Sequence, residues 1–259
     1  MGRMEGKAAL VTGGTTGLGY AIAERYLGEG ASVVITGRDE ALGAHAEERL
    51  GPLGPVRFVR ADAAEAAHVA ASVEAAVGFL GGLDILVNNA GIGVQATLLE
   101  TPLADFDRVM AVNVRGYFLY AKEAFSHLEA RRGCMIHNAS DAAVHGEVDI
   151  GAYSVSKAAV IMLSNMLAIE GGRRGVRSNA ICPGDTPPGM RHNAPPGQEL
   201  GQDDESTWLL PPVGRVGRAG DVAAVCVFLA SDEAAFVNGV ALLVDGGMRA
   251  GHRTGLPQA

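Results

Sequence analysis

Short apolar runs alternate along this chain with longer segments whose apolar residues recur at helical spacing. Residues 8–12, Ala-Ala-Leu-Val-Thr, form the first run; it ends in Gly13-Gly14-Thr15-Thr16-Gly17-Leu18-Gly19, and Ala21 to Leu27 continues as a helix. The second, Ala31 to Thr36, leads through Gly37-Arg38-Asp39 into a polar helix reaching about Leu50. The third, Val56 to Ala61, ends at Asp62 before an alanine-rich helix from about Glu65 to Phe79. The fourth, Leu83 to Val87, ends at Asn88-Asn89-Ala90-Gly91. Helices are then expected near Pro102 to Met110 and Val112 to Arg131, followed by a strand at Cys134 to Ala139. A helix carrying Tyr153 and the apolar segment Ala158 to Ile169 comes next, then a strand at Val176 to Cys182.

Residues 183–214 break the alternation with seven prolines and the acidic run Asp203-Asp204-Glu205. They read as an irregular insertion whose part at about 185–212 is a substrate lid. Order returns with a helix from about Ala219 to Ser231 and a last strand, Ala241 to Asp245; the tail from Gly246, and residues 249–259 in particular, reads as mobile. Strand and helix alternating at intervals of roughly 20 to 30 residues specify an α/β fold, a doubly wound, Rossmann-type parallel sheet with helices on both faces. Neither an internal repeat nor a linker divides the 259 residues, so the chain reads as a single domain. In such a sheet ligands lie beyond the carboxyl ends of the strands. Gly13, Arg38, Asp62, Asn89, Ser140 and Pro183 all follow strands and would gather at that edge.

Composition narrows the function. A net charge of −8 with scattered arginines argues against nucleic acid as a partner. The chain has no run of eighteen apolar residues, and Met1 to Lys7 has no hydrophobic signal core, so the expectation is a cytoplasmic protein with no membrane partner. Cys134, Cys182 and Cys226 lie far apart in apolar segments and read as buried hydrophobes in a reducing compartment. The seven histidines never pair at ligand spacing, and no metal site is expected.

The chemistry concentrates between Ser140 and Lys157. Tyr153 and Lys157 are four apart and lie one turn from each other on one helical face. A free tyrosine, with a pKa of about 10, is phenolate in roughly one molecule per thousand at pH 7. Lowering that pKa by about three units takes on the order of 4 kcal/mol, which a nearby ammonium partly supplies. Tyr153 could then exchange a proton with a carbonyl or alcohol, with Ser140 donating a hydrogen bond to the same oxygen. The pair alone reads by default as a packed tyrosine and a solvated lysine, and it needs further residues to mark a site. The stretch from Gly13 to Gly19 supplies the other half of a site: strand, glycine turn and helix aim helix N-terminal amides at a pyrophosphate, and the glycines allow a close approach.

The ordered set Thr12-Gly13-x-x-x-Gly17-x-Gly19, Asp62, Asn88-Asn89-Ala90-Gly91, Asn113, Ser140, Tyr153-x-x-x-Lys157, Pro183-Gly184 and Asp245-Gly246-Gly247 resembles the short-chain dehydrogenase/reductase family, including its 3-oxoacyl-reductase-like and ketone-reductase-like members. The resemblance runs from Lys7 to Met248. It implies that Tyr153 is the general acid/base, that Lys157 lowers the tyrosine pKa and binds the nicotinamide ribose, and that Ser140 orients the substrate oxygen. Asn113 is implied to hold a helix kink and a proton-relay water. Implied cofactor contacts are Gly13, Thr15, Thr16, Gly17, Leu18, Gly19, Arg38, Asp62, Ala63, Asn89, Ala90, Gly91, Pro183, Gly184 and Thr186, besides Tyr153 and Lys157. Asp62 and Asn89 can equally be strand-end caps, and Asp245-Gly246-Gly247 reads as a structural turn near a subunit interface.

A carboxylate ending the second strand would accept the ribose hydroxyls and repel a 2′-phosphate. Here Gly37 and then Arg38 stand there, which points to NADP(H); NAD(H) follows if Asp39 turns to the ribose. Two departures from the family pattern stand out. Pro188 occupies a position where many relatives carry a threonine, with Thr186 two residues early, and Asp141 beside Ser140 is expected to cap a turn or, alternatively, to face the substrate. The expected activity is an NADP(H)-dependent reductase or dehydrogenase acting on a carbonyl or secondary alcohol. Met190, Arg191, His192, Trp208, Leu209 and Leu210 in the lid suit a small cyclic or aromatic substrate. Arg131, Arg132, Arg173 and Arg174 read first as solvated helix-end residues, but they stand roughly where ketoacyl reductases meet an acidic carrier, which keeps a carrier-bound 3-oxoacyl substrate as an alternative; a dinucleotide-binding redox sensor without turnover is the other. Relatives form homo-oligomers, dimers or tetramers, through helices here near 112–131 and 152–171 and through the last strand.

Overall fold

The computed structural model describes residues 2–187 and 210–251. Its sheet has seven parallel strands in the order β3-β2-β1-β4-β5-β6-β7: β1 (Ala8–Val11), β2 (Ser32–Gly37), β3 (Val56–Arg60), β4 (Ile85–Asn88), β5 (Cys134–Asn138), β6 (Arg177–Pro183) and β7 (Ala241–Val244). Alternation within each apolar run explains why helices cover both faces. Ala9, Val11, Val33, Ile35, Ile85, Val87, Cys134 and Ile136 point into one core, while Leu10, Val34, Leu86 and Met135 point into the other.

The first core is closed by α1 (Gly17–Gly28), α2 (Glu40–Leu50) and α7 (Ala219–Ala230). The second is closed by α3 (Ala66–Leu80) and α5 (Gly116–Arg131), with α6 (Gly151–Gly172) packed beside them against β6. Among the described residues α6 alone is long and apolar enough to cross a membrane by length and composition. Its buried face carries Tyr153, Ser156, Lys157 and Ser164 and lies on the domain's own sheet.

The sequence places a boundary between the helices near 110 and 112. The chain instead runs on without a break from α4 (Leu103–Met110) through a wide π-turn, Ala111–Arg115, into α5. Such a turn bends the helix and commonly marks a functional position; Asn113 sits within it, fully buried. The order switch between β1 and β4 opens a crevice at the carboxyl edge, where Asn88 of β4 lies opposite His137 of β5. The lid residues Met190, Arg191, His192, Trp208 and Leu209, with Pro188, lie outside the described residues, and Leu210 is exposed. At the start of the tail Gly246 accepts from the Val213 amide, Gly247 and Arg249 donate their amides to Asp245, and the Arg249 side chain donates to Asp141.

Candidate active site

A cleft of ≈ 700 Å³ runs along the carboxyl edge of the sheet. At one end lie Gly13, Thr15, Thr16, Gly17 and Leu18 with Arg38, Asp62 and Ala63; at the other lie Ser140, Tyr153, Lys157, Pro183, Gly184 and Thr186. Asn89, Ala90 and Gly91 form the wall between them. Gly19 stands behind this surface, where a Cβ would come within 2.2 Å of the Gly13 carbonyl oxygen, so its missing side chain lets the glycine turn close on α1.

This end of the cleft fits a dinucleotide. Thr16 precedes α1 in an extended conformation and its side chain caps no amide, which leaves the first N–H groups of the helix open to the cleft. Gly13 takes φ +62, and a Cβ there would lie 2.8 Å from the Ala90 Cα. Asn89 keeps this wall rigid: its Nδ2 donates to the Thr12 and Gly13 carbonyls at 3.0 and 3.1 Å, and its Oδ1 accepts from Asn138 Nδ2 at 2.9 Å. Asp62 faces the cleft while its Oδ1 caps the Ala64 amide at 2.9 Å.

The corner after β2 bears on the cofactor. A Cβ on Gly37 would lie 2.7 Å from Thr15 Cγ2, so a side chain there would require the Thr15 side chain to shift. Asp39 caps α2, its Oδ1 accepting from Leu42 N at 2.9 Å. Arg60 donates from Nε to the Arg38 carbonyl at 3.2 Å and so brings a second guanidinium beside the exposed Arg38.

At the other end, β5 delivers Ser140 in extended conformation, and the chain turns at once into a 3-10 turn, Asp141–Ala143. The Ser140 hydroxyl donates to Asp141 Oδ1 at 3.3 Å and accepts from the Ala142 amide at 3.2 Å. Ser140, and not Asp141, therefore caps the turn; Asp141 is buried, and its second oxygen pairs with Arg249 at 3.1 Å. The first turns of α6 present Tyr153 and Lys157, 8% and 2% exposed. Lys157 Nζ donates to the Asn138 carbonyl at 2.6 Å and to Tyr117 Oη at 3.3 Å. Asn113 joins the β4 loop to α6: Nδ2 donates to the Ile92 carbonyl and to Ser156 Oγ, Oδ1 accepts from Ile92 N, and all three distances are 2.9 Å. Thr186 turns its hydroxyl onto the Gly184 carbonyl at 2.9 Å.

Burial works against the expected lowering of the Tyr153 pKa. Burial pushes the Tyr153 phenol well above its ordinary range, and the Ser140 hydrogen bond offsets only part of that. Burial also lowers the Lys157 pKa, to about 7, and its ammonium, 5.5 Å from the centre of the tyrosine ring, donates to the Asn138 carbonyl.

Three residues of the site escaped the sequence reading. Tyr117 lies four residues after Asn113 on the next helical turn, a spacing that could have revealed it. Asn138, two before Ser140, ends β5, and its Oδ1 is buried with no hydrogen-bond partner among the described residues. Arg249 gives no such signal.

A doubly wound sheet whose crevice joins a dinucleotide cradle to a buried Ser-Tyr-Lys constellation defines an oxidoreductase of the nicotinamide-dependent class. The chain belongs to the short-chain dehydrogenase/reductase family: a family model described as Enoyl-(Acyl carrier protein) reductase matches residues 13–249. It is 38% identical over 257 residues to 2-(S)-hydroxypropyl-CoM dehydrogenase 3 of Xanthobacter autotrophicus, covering 96% of this chain and 98% of that protein. It is 33% identical over 252 residues to the NADP-dependent (R)-specific alcohol dehydrogenase of Lentilactobacillus kefiri, covering 96% and 98%. Among solved structures, the 3-ketoacyl-(acyl-carrier-protein) reductase from Brucella melitensis complexed with NADH superposes with a TM-score of 0.85 at 32% identity, over 95% of this chain and 99% of that one.

Proposed function

We propose that this oxidoreductase prefers NADP(H) and interconverts a ketone and a secondary alcohol of a small, cyclic or aromatic substrate. The observation that carries the reading is the shared cleft, which joins the open amides of α1 to Ser140, Tyr153 and Lys157. When bound, the nicotinamide supplies or takes the hydride. The chain handles the oxygen and its proton. The Ser140 hydroxyl turns from Asp141 to donate to the substrate oxygen, Tyr153 Oη delivers or removes the proton, and Lys157 holds the far side through Asn138 and Tyr117. Arg38, with Arg60 beside it and no carboxylate at position 37, suits a 2′-phosphate.

A carrier-bound 3-oxoacyl substrate is the second reading, favoured by the likeness to the ketoacyl reductase. Against it, Arg174 is held by both oxygens of Glu129 at 2.6 Å, and Arg131 donates to the Gly81 carbonyl at 2.8 Å, so two of the four arginines are already engaged. A homo-oligomer built on α5 and α6 is part of the proposal, supported by exposed Phe118, Val155, Met162, Met166 and Ile169. The test is catalytic efficiency with NADPH and NADH side by side over a ketone panel that includes an acyl-carrier thioester. The reading expects a higher kcat/KM with NADPH on a free ketone; preference for NADH, or turnover of the thioester alone, would overturn it.

A further inference from the structure

The Asp245-Gly246-Gly247 turn, with φ of +63 and +88 at its glycines, returns the chain toward the catalytic edge. Asp245 fastens it, accepting from the Gly247 amide at 3.0 Å and from the Arg249 amide at 2.8 Å. The Arg249 side chain then reaches across the site. Its Nε donates to Asp141 Oδ2 at 3.1 Å, and its Nη2 donates to Glu147 Oε1. Asp141 is 8% exposed and accepts the Ser140 hydroxyl on its other oxygen. One guanidinium thus holds two carboxylates: one directly follows Ser140, and the other lies on the loop leading into the helix of Tyr153.

That arrangement answers a charge problem. A phenol that must release a proton is opposed by every negative charge near it. Tyr153 is faced by Lys157 from its own helix, Ser140 and Asp141 from the end of β5, Glu147 from the loop before α6, Cys182 from β6 and Tyr117 from α5. Behind these stand Asp185, which acts on Glu147, and Asp245, which acts on Cys182. Among these charged groups the cations are Lys157, committed to the Asn138 carbonyl, and Arg249. Burial already raises Tyr153, and Asp141 and Glu147 push it further. The Glu147 carboxyl is itself held up by burial and by Asp141, with Arg249 acting in the opposite direction.

We propose that Arg249 is a positioning residue of the proton-transfer site, a charge clamp that offsets Asp141 and Glu147 so that Tyr153 can part with its proton while Ser140 stays aligned. The proposal rests on Tyr153 as the base of the reaction.

The first measurement is the pH dependence of kcat/KM for alcohol oxidation in wild type, Arg249→Ala, Arg249→Lys and the double variant Arg249→Ala with Asp141→Asn. The rising limb should move to higher pH in Arg249→Ala by on the order of one unit, roughly the effect of one uncompensated charge about 10 Å away at an effective dielectric near 20. Lysine should restore most of the shift, and Asp141→Asn should reverse it in the alanine background. A limb that stays in place, or one that moves and is not reversed by Asp141→Asn, overturns the clamp. A second measurement needs no turnover: the Glu147 carboxyl, assigned with Glu147→Gln, is titrated by side-chain carbon-13 NMR in the full chain. Its midpoint should rise in Arg249→Ala, and an unmoved midpoint overturns the clamp by itself. Activity retained in Tyr153→Phe would refute the assignment of the base instead, leaving the NMR titration to judge Arg249.

Discussion

Lys157 is expected to make the folded chain less stable than it would be with an apolar residue in its place. Burial lowers its pKa from 10.5 to about 7, so between those values the unfolded chain holds a proton that the folded chain has released. Stability therefore rises with pH across that window, and the cost of the buried ammonium is fully present below pH 7. A gap of roughly 3.5 units corresponds to at most about 5 kcal/mol. Against this, Lys157→Met removes the donor 2.6 Å from the Asn138 carbonyl, although Tyr117 Oη still donates to that oxygen at 3.2 Å. A lost hydrogen bond from a charged donor is worth about 1.5 to 3 kcal/mol, which leaves a net gain of roughly 2 to 3.5 kcal/mol at pH 6. At about 2 to 4 °C per kcal/mol for a chain of this size, Lys157→Met should melt roughly 4 to 14 °C higher at pH 6, with the difference shrinking toward pH 10. Calorimetric scans of both proteins at pH 6, 8 and 9.5 read this directly. A methionine variant that melts at or below wild type at pH 6 would refute the argument that the ammonium is retained at a cost to stability.

Further outcomes follow from the same geometry. Tyr153→Phe should lower kcat by about 100- to 10,000-fold while the dissociation constant for NADPH stays within about twofold, as measured by nucleotide fluorescence. Arg38→Ala should lower the NADPH-over-NADH ratio of kcat/KM by about 10- to 100-fold, because a charge-assisted hydrogen bond to phosphate is worth about 1.5 to 3 kcal/mol; an unchanged ratio removes Arg38 from cofactor selection. Met162→Glu on the exposed side of α6 should lower the sedimentation coefficient of the assembly, and a wild-type chain that sediments as a monomer would remove the oligomer from the proposal.

The alternation that made the fold legible is the direct trace of a sheet covered on both faces. Runs such as Ala8–Val11 and Ile85–Asn88 have no exposed side, so nearly every position must be apolar, and the strands stand out against the helices without any alignment. The candidate site was legible for a related reason: Tyr153 and Lys157 are placed by helical spacing, and Ser140, Asn89 and Gly13 by their places after strands. The content of a turn was not legible in the same way. Asp141 follows a strand as Ser140 does, yet its role depends on which cation meets it, and Arg249 meets it from 108 residues away. No periodicity encodes such a contact. The glycines of Asp245-Gly246-Gly247 marked a turn correctly, but the direction in which that turn sends the chain is a tertiary property.

Burial opposes the effect expected of Lys157 on Tyr153. Helical spacing put the ammonium beside the tyrosine, and in an exposed site proximity would have stabilised the phenolate. Burial acts against that stabilisation, since it penalises both charged forms together, raising the phenol and lowering the amine. In a pocket where Tyr153 and Lys157 are both nearly inaccessible, the charge balance of the surrounding groups sets how readily the proton moves. Two carboxylates adjoin the tyrosine, and Arg249 pairs with both. A family member with a small or hydroxyl residue at position 141 would face no such charge from that position and would have less use for a cation after the Asp-Gly-Gly turn. Asp141 and Arg249 should therefore act as a unit, with the effect of losing either one depending on whether the other is present.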